Sequence, residues 1–300
     1  MSRLQANLVL TLAAMIWGSA FVAQQTGTGN LGTICFTGAR FLVGGLVVLP
    51  FAIGQFRRVN SHERRFTRGD CLLLVITGTV LFIAAGLQQY GILHTTVTNA
   101  GFLTALYVPM VPLIGLVLLR RRVHWVVWPA SIGCFVGTYI MSGAHQLELR
   151  VGDAWVIAST LFWATHVLLV GHVATRTRAP LVVAAWQFLV CGVLGLFLGT
   201  LVERPLLADF HSALFGIWYV GIFSVGMAFT LQVVGQRYTQ AADAAIILSS
   251  ETVFAALAGY LILGERLTSL QLLGATLILV GIMMVELVPL TRLGRPRPLS

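Results

Sequence analysis

The chain has 300 residues, 57% hydrophobic and 10% charged, with a mean hydropathy of +0.89. A soluble domain carries about 25% charge, so this composition excludes a sizeable water-soluble fold and leaves an all-α integral membrane protein. The net charge of +9 rests on 19 basic residues, every one an arginine. No stacking aromatics are interleaved with them, which argues against nucleic-acid binding and for a role in membrane topology.

Apolar runs separated by charged or Gly/Pro-rich breaks predict ten membrane helices, near residues 6–24, 32–54, 71–93, 97–119, 124–142, 151–173, 178–202, 211–234, 242–264 and 269–290. Each long run matches the ~20 residues needed to cross about 30 Å of hydrocarbon. The first run continues through Phe21-Val22-Ala23 and reads as a retained span rather than a signal peptide. Pro50, Pro129, Pro180, Pro205 and Pro289 are expected near segment ends, where a missing N–H costs little. Segment four carries Pro109 and Pro112 in its interior, which predicts a kink, either structural or a gating hinge. The cysteines (Cys35, Cys71, Cys134, Cys191) stand singly without metal or redox spacing. Nucleophile-elbow, metalloprotease and phosphate-loop motifs are all missing from the sequence. The expectation is no enzyme, no metal and no cofactor.

Arginine placement orients the spans. With the N-terminus in the cytoplasm, 15 arginines fall on the inner side, and only Arg150, Arg204 and Arg266 fall outside. The excess of basic residues belongs on the cytoplasmic side, so both termini are expected to be cytoplasmic.

Residues 87–141 recur at 231–285, shifted by 144 positions. Leu87-Gln88 matches Leu231-Gln232, Gly91 matches Gly235, Thr95 matches Thr239, and Val136-Gly137 matches Val280-Gly281. Trp17 and Trp163 extend the match toward the N-terminus. Arg120-Arg121-Arg122 ends segment four, and its counterpart is Gly264-Glu265-Arg266. One copy is strongly basic and the other neutral, as required if the copies face opposite sides. The predicted architecture is two inverted five-helix repeats, 6–142 and 151–290, around a central cavity, followed by a cytoplasmic tail, 291–300. Inverted repeats of this kind belong to secondary transporters, whose substrate sits between the halves near the midplane.

Intramembrane polar groups are then the candidates for function. Arg40 and Glu251 each lie about nine residues from a membrane face, roughly 13–14 Å deep at 1.5 Å per residue. They can bind the two ends of a zwitterion, or satisfy each other or nearby backbone as structure; the structural role is preferred, since a lone charge at the centre costs at least ~2.5 kcal/mol. Gln88 and Gln232 are exact counterparts, suited to interhelical hydrogen bonding or to lining a cavity. Trp17, Trp163, Tyr90, Tyr107 and Trp186 can form an aromatic pocket or pack between helices. His94 and Asp243 fall near helix ends, where water reaches them. Energy coupling stays open, with His94, Asp243, Glu251 and Glu286 each able to carry protons.

The segments Leu248-Ser249-Ser250-Glu251-Thr252-Val253-Phe254 and Leu263-Gly264-Glu265-Arg266-Leu267, with Ile16-Trp17-Gly18-Ser19-Ala20-Phe21 and Arg40, resemble the EamA family of the drug/metabolite transporter superfamily. The resemblance spans essentially the whole chain. It implies a ten-helix carrier of small metabolites without an ATP-hydrolysing domain, and it moves Arg40 and Glu251 toward fold or gating. The aromatic centre looks most like the YddG-type amino-acid exporters. The function expected is export of amino acids or similar metabolites across a bacterial inner membrane by alternating access, with efflux of lipophilic cations, or a non-transporting membrane protein, as the alternatives. The expected partners are a small-molecule substrate and the lipid bilayer, with the protein acting as a monomer.

Overall fold

A computed structural model describes residues 1–62, 65–95, 97–117, 120, 123–141, 151–254, 256–257 and 268–288. The tail at 291–300, the Leu-Gly-Glu-Arg block at 263–266 and Arg121-Arg122 lie outside the described residues. Among the described residues the chain is helical, without strands.

The helices are α1 (Arg3–Thr26), α2 (Thr33–His62), α3 (Arg68–Leu93), α4 (Val97–Thr104), α5 (Tyr107–Val117), α6 (Val127–Met141), α7 (Val151–Thr177), α8 (Pro180–Val202), α9 (Leu207–Ser212) and α10 (Leu214–Tyr219). A π-helix (Val220–Phe229) follows, then α11 (Thr230–Gln236), α12 (Ala241–Leu248) and α13 (Ser269–Leu287). Among the described residues, seven helical stretches are long and apolar enough to cross a membrane, including Thr33–Asn60, Arg68–Leu93 and Leu214–Gln236. Capping boxes start three helices, with Ser2 and Gln5 on α1, Thr67 and Asp70 on α3, and Thr268 and Gln271 on α13. Each box satisfies backbone N–H groups that a helix start leaves without partners.

Glycines set the helix spacing. The contact between α2 and α8 is the most extensive in the bundle. Gly38 lies on Gly195, Gly192 on Leu42 and Gly199 on Cys35, so the two helices run antiparallel with their backbones touching. Gly137 and Gly274 bring α6 and α13 together in the same way. Small residues give this close approach, which supplies van der Waals contact where no hydrophobic force acts between helices.

The ends of the tightest pair are capped across the interface. Glu203, just after α8, accepts from Ile34 N at 2.8 Å and Cys35 N at 2.9 Å at the start of α2. Gln55, near the end of α2, accepts from Leu181 N at 2.8 Å at the start of α8. Each helix thereby satisfies the other's free N–H groups.

Two sequence expectations are corrected, and one further feature is new. Pro50 lies inside α2, which continues to His62, with its ring exposed; membrane helices tolerate such prolines. Segment four is two helices rather than one kinked helix. The chain turns at residues 105–106, so that Pro109 falls in the first turn of α5, where its missing N–H removes no helical bond. Only Pro112 is interior. Segment eight contains ten residues of π-helix, a feature that no residue-level signal announced.

At the start of α3, the buried Asp70 carboxylate accepts from Thr67 N at 2.9 Å, Thr67 Oγ1 at 2.8 Å and Arg176 Nε at 2.8 Å. Asp70→Ala is expected to lower stability by about 2–3 kcal/mol, since hydrogen bonds to charged groups contribute ~1.5–3 kcal/mol each and the half-exposed Arg176 recovers water. Denaturation of the detergent-solubilised protein measures this, and Asp70→Asn should recover part of the loss.

Candidate functional site

The break in segment four has a counterpart. Segment nine also breaks, at Ser249-Ser250, between α12 and the helical residues 251–254. The Ser249 and Ser250 hydroxyls donate to the carbonyls of Ile246 at 2.6 Å and Ile247 at 2.7 Å. Such back-bonding competes with the regular ladder. Residues 105–106 and 249–250 are 144 positions apart, so the two copies break at the same place. Tyr107 and Glu251 each stand directly after a break. Interrupted helices in corresponding positions of two halves point to a binding site.

A cavity of about 60 Å³ lies there, room for several waters at the ~10–15 Å³ each requires. From the sequence candidates, Trp17, Gln88, Tyr107, Trp163, Gln232, Arg40 and Glu251 all line it. Phe229, from the π-helix, is the hub of its aromatic wall. The Phe229 ring is 4.6 Å from Trp17, 5.8 Å from Trp163 and 5.7 Å from Phe41, centre to centre. The π-helix also directs the Ser224 carbonyl at the cavity, where it accepts from Trp17 Nε1 at 3.3 Å. Trp163 Nε1, in contrast, is buried without a partner.

Arg40 and Glu251 do not form an ion pair. The Arg40 guanidinium donates to Gln24 Oε1 and lies 5.6 Å from the Phe36 ring and 5.3 Å from the Phe41 ring. Its Nε has no partner. Glu251 is buried on the cavity wall, 8% exposed. Of the alternatives the sequence left open, mutual pairing is not the one seen: two opposite charges line one cavity. Gln24 engages the guanidinium only through Nη1, and Glu251 lines the same cavity.

The remaining candidates lie elsewhere. Tyr90 is 39% exposed, stacks on His94 at 4.2 Å and meets Trp155 edge-to-face at 5.3 Å. Trp186 is 44% exposed, on the outer surface of α8. Asp243 pairs with Arg3 at 3.0 Å. Pro112 borders a separate cavity of about 400 Å³ with Gly115, Leu168, Gln240 and Ala241. Helical periodicity decides these cases: Tyr90 is two residues from Gln88, and a step of two turns a side chain to a different face. The sequence missed Gln24, Phe41, Thr104, Ser224 and Phe229. Thr104 was legible, three residues before Tyr107 and on its face; Phe229 is one apolar residue among many and carried no signal.

Matching contacts mark the two ends of the bundle. At one end Thr239 Oγ1 donates to Asn7 Oδ1 at 2.9 Å, and Asn7 donates to Glu286. At the other, Thr95 Oγ1 donates to Asp153 Oδ1 at 2.5 Å, beside Gln25 at the end of α1. Thr95 and Thr239 are counterparts, and so are Asn7 and Asp153, 146 residues apart like Trp17 and Trp163. Asn7 and Gln25 lie about 27 Å apart along α1 at 1.5 Å per residue.

The model of the EamA-like transporter family matches the chain twice, over residues 4–143 and 150–287. An uncharacterized transporter of Archaeoglobus fulgidus is 30% identical over 95% of this chain and 87% of its own length. The uncharacterized transporter YoaV of Bacillus subtilis is 21% identical over 90% of this chain and 92% of its own. A solved crystal structure superimposes with a TM-score of 0.76 at 18% identity, covering 96% of this chain and 98% of that one; this likeness concerns the fold alone. The chain belongs to the EamA-like transporter family and is a multi-pass membrane transporter.

Proposed function

We propose that this protein is a secondary carrier that exports amino acids, including aromatic and hydrophobic ones, from the bacterial cytoplasm across the inner membrane by alternating access. The observation that carries it is that Arg40 and Glu251 line one aromatic-walled cavity without forming an ion pair with each other. A guanidinium and a carboxylate that do not neutralise each other suit a ligand carrying both charges. The walls of Trp17, Trp163, Phe41 and Phe229 suit an apolar side chain. A lipophilic cation would be drawn to Glu251 and the rings, but Arg40 in the same cavity opposes it.

In this reading the chain is ten helices in two inverted five-helix repeats, 6–142 and 151–290, with both termini cytoplasmic. The antiparallel α2 and α8, the reciprocal caps of Glu203 and Gln55, and the paired helix breaks support it. The Thr239–Asn7 and Thr95–Asp153 contacts would open in turn, one at each face. Pro112 and its 400 Å³ cavity would form the cytoplasmic approach.

Purified protein in liposomes should accelerate flux of amino acids such as Phe, Met or Thr well above protein-free vesicles. Failure across the full panel of proteinogenic amino acids overturns the reading, and flux of quaternary ammonium compounds in its place establishes cation efflux. The same assay with and without a pH gradient identifies the coupling.

A further inference from the structure

The Phe229 ring marks where the cavity ends. Trp17, Phe41 and Trp163 line the cavity alongside it. Phe188 and His166, with ring centres 6.1 Å and 6.4 Å from that of Phe229, are fully buried and do not line it. Among the described residues, Phe229 alone of the cavity rings contacts both of them. Behind it His166 Nε2 lies 2.9 Å from the Gln187 side-chain oxygen. Two contacts fix the ring. Trp17 meets it edge-on at 4.6 Å, and Trp17 Nε1 donates to the carbonyl of Ser224, five residues before Phe229. A π-helix joins residues five apart, so Trp17 touches both ends of the π-turn that carries Phe229. The first copy has no ring at this position. The residue 144 positions earlier is Ala85, in the regular helix α3 and two residues ahead of the matched Leu87-Gln88.

We propose that Phe229 determines which side chains the carrier accepts. Its ring is the end wall of the subsite for the substrate's side chain, and a shorter residue there extends that subsite toward Phe188 and His166. This deepens the amino-acid reading above and rests on it. With the ring in place the cavity is only about 60 Å³, so small apolar side chains fit better than large ones, and valine is bound in preference to tryptophan. Apolar pockets discriminate by such fit, at ~10–200-fold for a single methylene.

The test measures KM for valine and for tryptophan in proteoliposomes carrying wild type, Phe229→Leu or Phe188→Leu, with melting temperatures alongside. Wild type should show the lower KM for valine. Phe229→Leu should shift the KM ratio about tenfold toward tryptophan, the lower end of the discrimination an apolar pocket achieves. Phe188→Leu removes a ring from the same cluster without altering the cavity wall. It should lower the melting temperature as Phe229→Leu does and leave the ratio at the wild-type value. Should Phe229→Leu fail to fold, Phe229→Met keeps more of the packing through its flexible chain and should shift the ratio in the same direction. An unchanged ratio at position 229, an equal shift in Phe188→Leu, or a wild type that prefers tryptophan overturns the proposal and leaves the amino-acid reading intact. A wild type that moves no amino acid overturns both.

Discussion

Glu251→Gln is expected to slow amino-acid flux about 100-fold while leaving the protein as stable as wild type or more so. The variant keeps the shape of the side chain and removes the charge that holds the substrate's ammonium. A 100-fold loss corresponds to about 2.7 kcal/mol at ~1.36 kcal/mol per tenfold, within the ~1.5–3 kcal/mol range for a charge-assisted hydrogen bond. The stability readout separates this role from a structural one. Were Glu251 the buried partner of Arg40, its loss would strand the guanidinium and cost about 3–5 kcal/mol. Arg40 instead bonds Gln24 and faces two phenylalanine rings, so nothing is stranded. Flux and melting temperature measured on the same preparation decide the matter, and a clear drop in melting temperature would sink the assignment.

The second large effect is expected at the contact of α2 with α8. A Cβ on Gly38 would stand 2.4 Å from the Leu196 backbone nitrogen, and one on Gly195 would stand 2.6 Å from the Gly38 Cα. Both obstacles are backbone, so no side chain can swing aside and the helices must separate. Gly38→Ala should therefore destabilise by about 2–3 kcal/mol, the upper part of the usual overpacking range. Gly86→Ala provides the contrast. Nothing lies within 4 Å of a Cβ there, so alanine should stabilise by about 0.4–1 kcal/mol by restricting the unfolded chain. Unfolding in mixed detergent ranks the two variants, and equal midpoints would refute the packing account.

Much of the cavity was legible beforehand. Trp17 and Trp163 stood out as tryptophans far from the interfaces, Gln88 and Gln232 as duplicated amides, and Arg40 and Glu251 as charges at midplane depth. Each signal came from the high cost of a polar or large aromatic group inside the membrane. Tyr90 and Trp186 illustrate the limit of that method. Both lie at suitable depths, but depth along a helix does not give the direction of a side chain. Tyr90 turns to His94 and Trp155, and Trp186 turns outward from α8. Helix rotation is set by which small residues meet across an interface, such as Gly38 with Gly195, and that pairing is long-range.

The repeat itself was a property of the sequence. So were the membrane class, the arginine asymmetry and the correspondence of Tyr107 with Glu251, because hydrophobic length and charge cost act on each segment alone. Tertiary structure decided three further matters: the breaks at 105–106 and 249–250, the π-turns that carry Phe229 into the cavity, and the failure of Arg40 to meet Glu251. Each depends on partners brought from distant parts of the chain. Gln24 and Arg40 meet because long side chains from α1 and α2 reach each other at the cavity.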